Sequence, residues 1–298
     1  MSFAATGCMV GGTAPRTSNI SRINAGDRPK GTLFIVGGGS QAPELVQQFV
    51  DLAGGKGKAR IAVLPMASSD GDAGGREKAD DFRKLGAEAF VLNLKRSDAD
   101  ADSVVRQLST ATGVWFGGGD QARITAALNG SAALRVIHQR FNEGAVLGGT
   151  SAGAAIMSDS MLTGNQYFNG NRTPVDSAVW NRVARNAIEI VPGLGFLHNA
   201  IVDQHFIRRQ RNNRLLSVVL ERPSFLAVGI DEGTVLKVNP DGKWTILGAS
   251  AVVVFDARGA LISKPNAPKL GAYDVKLSVL PSGSTFDAET GRATLPPE

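Results

Sequence analysis

At 298 residues, 43% apolar and 20% charged, the chain has the balance of an ordinary globular protein and is long enough to bury a substantial core, as one large α/β domain or two small ones. A single cysteine, Cys8, excludes an intrachain disulfide and a cysteine metal cluster; His138, His198 and His205 are too dispersed for a zinc site, and no apolar run approaches the roughly 20 residues of a membrane span. The net charge of +5 and pI near 9.5 suit an anionic substrate as well as a nucleic acid, but aromatics are scarce and no long basic run stands out, so no nucleic-acid partner is expected.

Residues 1–30 are rich in Gly, Ser and Thr and read as a flexible tail, leaving residues 31–298 as a single α/β domain. Within the tail, Ala5-Thr-Gly-Cys8 has the small-small-Cys form of a bacterial lipoprotein cleavage box, yet only four residues precede it, with no positive or apolar segment. The expected location is therefore cytoplasmic; an upstream signal segment before Cys8 would make the protein exported or lipid-anchored instead.

Residues 32–36 form a compact apolar run ending in Gly37, Gly38 and Gly39, and Leu45, Val46, Phe49, Val50 and Leu52 then recur at helical spacing: a first strand and helix. Residues 60–65 are a second strand, followed by a Ser/Asp/Gly loop and a polar helix over about 75–85. A third strand at 89–93 precedes a helix over 98–108 with the acidic start that helix N-termini favour. A fourth strand at 113–116 runs into Gly117-Gly-Gly-Asp-Gln121 and another helix, and a helix over about 132–141 leads to the strand before Ser151. This alternation predicts a doubly wound, mostly parallel sheet, whose ligands collect beyond the carboxyl ends of the strands. The Gly-rich segments 37–39, 117–119 and 148–153 all fall at such ends and are expected on one rim.

Beyond Met157 the pattern loosens. Residues 163–179, polar and Asn-rich with Asn165, Asn169, Asn171 and Arg172, read as a loop or hairpin over that rim. Short strands at 188–195 and 200–202, a helix over 207–221, and strands at 225–230, 234–238, 244–247, 251–255 and 273–279 predict a β-rich carboxyl-terminal portion.

Val146-Leu-Gly-Gly-Thr-Ser-Ala-Gly-Ala-Ala-Ile-Met157 reads as strand, sharp turn and helix with Ser151 at the turn. Glycines on either side permit backbone angles and close approaches that a Cβ forbids, and a helix N-terminus behind the serine aims free N–H groups at negative charge forming beside it. Two readings fit the motif alone: a nucleophile elbow, or a Gly-rich turn that packs closely or binds an anion. An activated serine needs a base, and the base needs an orienting group. His205 in Val202-Asp-Gln-His-Phe206 is the best candidate, since Asp203 and Gln204 make its surroundings polar; a buried core histidine is the alternative. His198 reads as a loop residue and His138 as part of a solvated helix face. Asp231 and Glu232 at the end of the strand 225–230 offer two carboxylates that spacing does not separate, or an acidic turn. Arg208, Arg209, Arg211 and Arg214 follow His205 and read either as a solvated face or as forks for substrate carboxylates.

Together, Phe116-Gly-Gly-Gly-Asp-Gln121, Gly149-Thr-Ser-Ala-Gly-Ala154, Asp203-Gln-His-Phe206 with Arg209, Arg211 and Arg214, and Gly229-Ile-Asp-Glu232 resemble the cyanophycinase branch of the S51 serine peptidases, in the family's order and from about Thr32 to the last strands. The resemblance implies a class I glutamine amidotransferase-like central sheet, Ser151 as nucleophile, His205 as general base, Glu232 as orienting carboxylate, and an oxyanion hole from the N–H groups of Gly119 and Ala152. It further implies that Gln121, Asp203, Gln204, Arg209, Arg211 and Arg214 line the substrate pocket, that no cofactor or metal is needed, and that the protein is a homodimer. The implied reaction releases β-Asp-Arg dipeptides from cyanophycin, a poly-aspartate carrying an arginine on each β-carboxyl. The alternatives are a related peptidase acting on α-aspartyl or β-linked dipeptides, or a non-catalytic anion-binding protein. The first thirty residues match nothing in the family pattern.

Overall fold

The computed structural model describes residues 28–168, 170–173, 182–267 and 269–297. Most of the expected tail, with Cys8, and Asn169 and residues 174–179 of the Asn-rich stretch lie outside the described residues. Strands β1 (Leu33–Val36), β2 (Arg60–Leu64), β3 (Glu88–Val91), β4 (Gly113–Phe116) and β5 (Val146–Thr150) alternate with helices α1 (Pro43–Leu52), α2 (Gly71–Lys84), α3 (Asp102–Ser109), α4 (Gln121–Leu128) and α5 (Ala132–Glu143), and β5 leads directly into the one-turn α6 (Ala152–Ala155). Then come β6 (Ser160–Phe168), β7 (Asn171–Thr173), β8 (Ile188–Pro192), β9 (Ala200–Gln204), α7 (Asn212–Glu221), β10 (Leu226–Ile230), β11 (Thr234–Val238), β12 (Lys243–Gly248) and β13 (Ala251–Asp256). The chain closes with the short β14 (Leu261–Ile262) and β15 (Ala272–Tyr273), then β16 (Lys276–Pro281), β17 (Thr285–Asp287) and β18 (Arg292–Thr294).

The local chemistry explains these elements. Helix α1 opens with a proline in its first turn and buries Leu45, Phe49 and Val50 along one stripe. Asp120 caps α4 by accepting the Ala122 N–H at 2.9 Å; Ser131 caps α5 by accepting from Leu134, and Gly144 ends α5 at φ 119°. Strand side chains partition with period two: Leu33 and Ile35 pack on one face of the sheet with Leu108, Ile124 and Ile137, while Phe34 and Val36 pack on the other with Phe49 and Phe82. Helices α1 and α2 therefore cover one face and α3 to α6 the other, and a strand covered on both faces needs the wholly apolar sequence that β1 has.

The main sheet has nine strands in the order β18-β17-β12-β11-β1-β5-β4-β2-β3. From β1 to β3 the pairings are parallel, and from β1 to β18 they are antiparallel. A second sheet, β16-β13-β10-β9, packs one face into the same core through Val202, Val228 and Val254 and the other against α7 through Ile201, Ala227 and Phe255. The doubly wound, mostly parallel core and the β-rich carboxyl-terminal portion are thus both present. A third sheet, β7-β6-β8, holds the described part of the Asn-rich segment as a hairpin.

Several boundaries differ from the expected ones. Helix α3 begins at Asp102 rather than residue 98, because Asp98 accepts the Lys95 N–H and closes a turn there. Helix α7 begins at Asn212 rather than 207, because His205 and Gln210 both take left-handed φ values, 49° and 50°, that a helix cannot carry. The strand expected over 273–279 is broken at Asp274, φ 63°, into β15 and β16. His138, expected on a solvated face, instead stacks on Phe196 at 4.3 Å and bonds the Leu194 carbonyl at 2.8 Å. Among the described residues, no helix is long and apolar enough to cross a membrane.

Candidate active site

Strand β5 runs parallel to β1 with Thr150 opposite Val36, so the residue after β5 emerges at the carboxyl end of the sheet. That residue is Ser151, held at φ 53° and ψ −107° and donating its N–H to the Val36 carbonyl at 3.1 Å. A non-glycine residue there stores on the order of 1–3 kcal/mol of backbone strain, which the surrounding packing must hold. The glycines on either side make the turn possible: a Cβ on Gly149 would lie 2.3 Å from the Gly153 carbonyl oxygen, and one on Gly153 would lie 2.3 Å from that of Phe116. Ala152 is the first residue of α6, so its N–H has no carbonyl one turn back within the helix. The loop Gly117 to Gly119 adjoins the serine: a Cβ built on Gly118 would be 3.5 Å from that of Ser151, and Gly119 has φ 135°.

The second sheet supplies the remaining groups. Strands β9 and β10 are parallel with Gln204 opposite Ile230, so the residues that follow them, His205 and the pair Asp231-Glu232, leave side by side. His205 Nε2 lies 2.8 Å from Ser151 Oγ, and its Nδ1 lies 2.6 Å from Glu232 Oε1. A carboxylate only accepts, so the proton between His205 and Glu232 belongs on Nδ1, leaving Nε2 to accept from the serine hydroxyl. Burial pushes the His205 imidazole below its ordinary pKa; the Glu232 hydrogen bond pulls it back up, and Arg209 and Arg211 push it down again. Asp231 is committed elsewhere, accepting from the Arg208 N–H at 2.9 Å and the Ser250 hydroxyl at 2.8 Å. A hydroxyl, a neutral imidazole and a carboxylate in series can remove a proton from the hydroxyl as it attacks an acyl carbon, and return it to a leaving group.

The other residues singled out from the sequence sit in two settings. Gln121 is buried and donates to the Leu162 carbonyl at 2.8 Å, tying the start of α4 to β6. Arg209 is exposed beside His205. Asp203, by contrast, is 1% exposed and accepts from Arg214 Nε at 2.9 Å, from Arg214 Nη2, and from Arg211 Nη1 at 3.1 Å. Arg211 also donates to the Gln204 carbonyl at 2.7 Å and to its side-chain oxygen. These residues contact one another, and Arg214 at 1% exposure opens no fork to solvent. Burial alone would raise the Asp203 carboxyl, but Arg214 and then Arg211 outweigh it and hold the carboxyl below the usual range. Burial lowers Arg211 to about 10.

Sequence reasoning recognised Gly37 to Gly39 as part of the rim without giving the segment work. In the structure its backbone joins the two halves of the site. The Gly37 carbonyl accepts from the His205 N–H at 2.6 Å, the Gly38 carbonyl accepts from the Gly233 N–H at 2.8 Å, and a Cβ on Gly38 would lie 2.2 Å from His205 Cε1. Lys78 was missed altogether. It donates to Gln41 Oε1 at 2.8 Å, and Gln41 donates to the Gly39 carbonyl at 3.1 Å; burial depresses the Lys78 pKa, partly offset by Asp81 and Glu77. A lysine on an otherwise polar helix carries no sequence signal for such a contact.

Comparison with known proteins places the chain in a family. The profile of peptidase family S51 matches residues 33–246. The cyanophycinase of Synechococcus elongatus is 33% identical over 272 residues, covering 88% of this chain and 80% of the relative, and that of Nostoc sp. is 31% identical over 269 residues, covering 86% and 85%. The cyanophycinase of Geminocystis herdmanii is 31% identical, covering 88% of this chain and 95% of the relative. In fold, the chain is similar to the crystal structure of a peptidase from an acI-B1 Actinobacterium, with a TM-score of 0.62 and 22% identity over 87% of this chain and 98% of that one. With the family profile spanning most of its length and cyanophycinase relatives matched over more than four fifths of the chain, the chain belongs to peptidase family S51 and is a serine peptidase.

Proposed function

We propose that this peptidase hydrolyses the aspartyl backbone of cyanophycin and releases β-Asp-Arg dipeptides through an acyl-enzyme. The observation that carries the reading is the relay from Ser151 through His205 to Glu232, at 2.8 Å and 2.6 Å, set at a strained elbow on the rim where two sheets meet. The cyanophycinase relatives support the choice of polymer.

Ser151 Oγ attacks the scissile carbonyl while His205 Nε2 takes its proton; Glu232 holds the imidazole and stabilises the imidazolium. The N–H groups of Gly119 and Ala152 receive the developing oxyanion. The imidazolium then protonates the leaving amine, and water, activated by the same imidazole, hydrolyses the ester. Gln121, Gln204, Arg209 and Arg211 border the substrate, with Arg209 the exposed guanidinium available to a carboxylate, and Asp203 and Arg214 brace the pocket from behind.

Incubation with purified cyanophycin, with products read by mass, tests the proposal: β-Asp-Arg is expected, and an intact polymer refutes it. A serine-reactive fluorophosphonate should label Ser151, and His205→Ala should block labelling. An unlabelled native chain would instead favour an anion-binding role. Sedimentation is expected to give a homodimer.

A further inference from the structure

The hairpin sheet carries a polar device that the relay does not use. Glu189 on β8 is half-buried, and three neutral donors converge on its carboxylate: Thr163 Oγ1 and Asn165 Nδ2, both 2.7 Å from Oε2, and the Tyr167 hydroxyl, 3.0 Å from Oε1. These donors hold the charge in place, Arg172 is a nearby cation that favours it, and Oε1 keeps one acceptor position. The other end of the same amide, Asn165 Oδ1, accepts from the exposed Arg172. One asparagine thus holds a carboxylate on one side and a guanidinium on the other.

A short series of contacts links this device to the elbow. Gly118 flanks Ser151, Gln121 follows three residues later, its side chain bonds the Leu162 carbonyl, and Thr163 is the next residue. We infer that Glu189 and Arg172 form the subsite for the arginyl group of the substrate, Glu189 taking the guanidinium and Arg172 the free α-carboxylate. The inference rests on the cyanophycin reading above. In that polymer the guanidinium carbon is about ten bonds from the scissile carbonyl, a reach of roughly 12 Å when extended. An anion and a cation held by one residue match the two opposite charges of such an arginyl group, and charge-assisted hydrogen bonds to each are the strong ones.

The test is calorimetric binding of two dipeptides, β-Asp-Arg and its neutral isostere β-Asp-citrulline, to the Ser151→Ala chain. Adding Glu189→Gln is expected to weaken β-Asp-Arg by about ten- to a hundredfold and leave β-Asp-citrulline unchanged. Adding Arg172→Gln should weaken β-Asp-Arg but not its α-amide. Equal losses for both members of a pair would mark a merely structural role and overturn the assignment, as would no loss at all. Should Glu189→Gln unfold the hairpin, Glu189→Asp keeps the charge one methylene back and should retain the preference for arginyl over citrulline; its disappearance there refutes the subsite. Failure of the native chain to cleave cyanophycin, with selective dipeptide binding intact, would sink the activity and spare the subsite. Cleavage with an unaltered KM in Glu189→Gln would do the reverse.

Discussion

Replacing Asp203 by asparagine keeps the shape of the side chain and removes its charge. The carboxylate is 1% exposed and is gripped by Arg214 through two nitrogens and by Arg211 through one. Arg214 is equally buried, and its Nη1 has no hydrogen-bond partner among the described residues, so Asp203 is its charge balance. Breaking a buried pair by removing one partner costs about 3–5 kcal/mol, because a charge is left uncompensated in a low-dielectric interior. At about 2–4 °C per kcal/mol for a chain somewhat smaller than this one, the melting temperature should fall by roughly 6–20 °C. Urea unfolding followed by circular dichroism gives the free energy directly. The double variant Asp203→Leu/Arg214→Met, which removes both charges, should recover most of the loss. The Asp203 carboxyl is depressed in the folded state, so its contribution is present above the unfolded pKa near 3.9 and disappears as pH falls through the lower folded value. Asp203→Asn should accordingly lose part of the acid sensitivity of the native protein. A loss below about 1 kcal/mol in Asp203→Asn would refute the argument that this cluster, rather than apolar packing alone, holds the His205 segment.

Other expectations concern the relay. Ser151→Ala should abolish hydrolysis with the fold intact by circular dichroism; undiminished turnover sinks the mechanism. Glu232→Gln should lower kcat by about 10²- to 10⁴-fold. It should also move the acid limb of the kcat/KM profile to lower pH, since Glu232 raises the His205 pKa against the burial that lowers it; an alkaline shift would contradict this balance. Gly38→Ala places a methyl 2.2 Å from His205 Cε1 and should displace the imidazole, giving a folded protein that fluorophosphonate labels slowly. Labelling at the native rate would show that the loop yields instead.

Much of the parallel half was legible because β1, β2, β4 and β5 are short apolar runs buried on both faces, and each is followed by a Gly-rich or polar turn. The elbow announced itself for a similar reason: the contacts that demand Gly149 and Gly153 are local, within a strand-to-helix turn. The start of α7 was not legible, since Ile207 to Leu220 suits a helix and tertiary bonds, His205 N–H to Gly37, Phe206 N–H to Ile230 and Arg208 N–H to Asp231, hold the preceding turn in another conformation. Nor was the Glu189 network, whose donors lie 22 to 26 residues from Glu189 in sequence and meet it through strand pairing.

Local chemistry written into the sequence therefore determined the strand and helix order, the turn at Ser151, and which residue types were available for acyl transfer. Tertiary structure decided which of them meet. Asp231 and Glu232 are adjacent in sequence with equivalent carboxylates. The parallel register of β9 and β10, and the crossing from one sheet to the other that follows β10, bring Glu232 to the imidazole and leave Asp231 bonded to Arg208 and Ser250. Arg211 and Arg214 share the charge and spacing of surface arginines. What draws them inward is the carboxylate of Asp203, facing them from near the end of a strand packed between α7 and the core, a partner that sequence spacing alone does not assign.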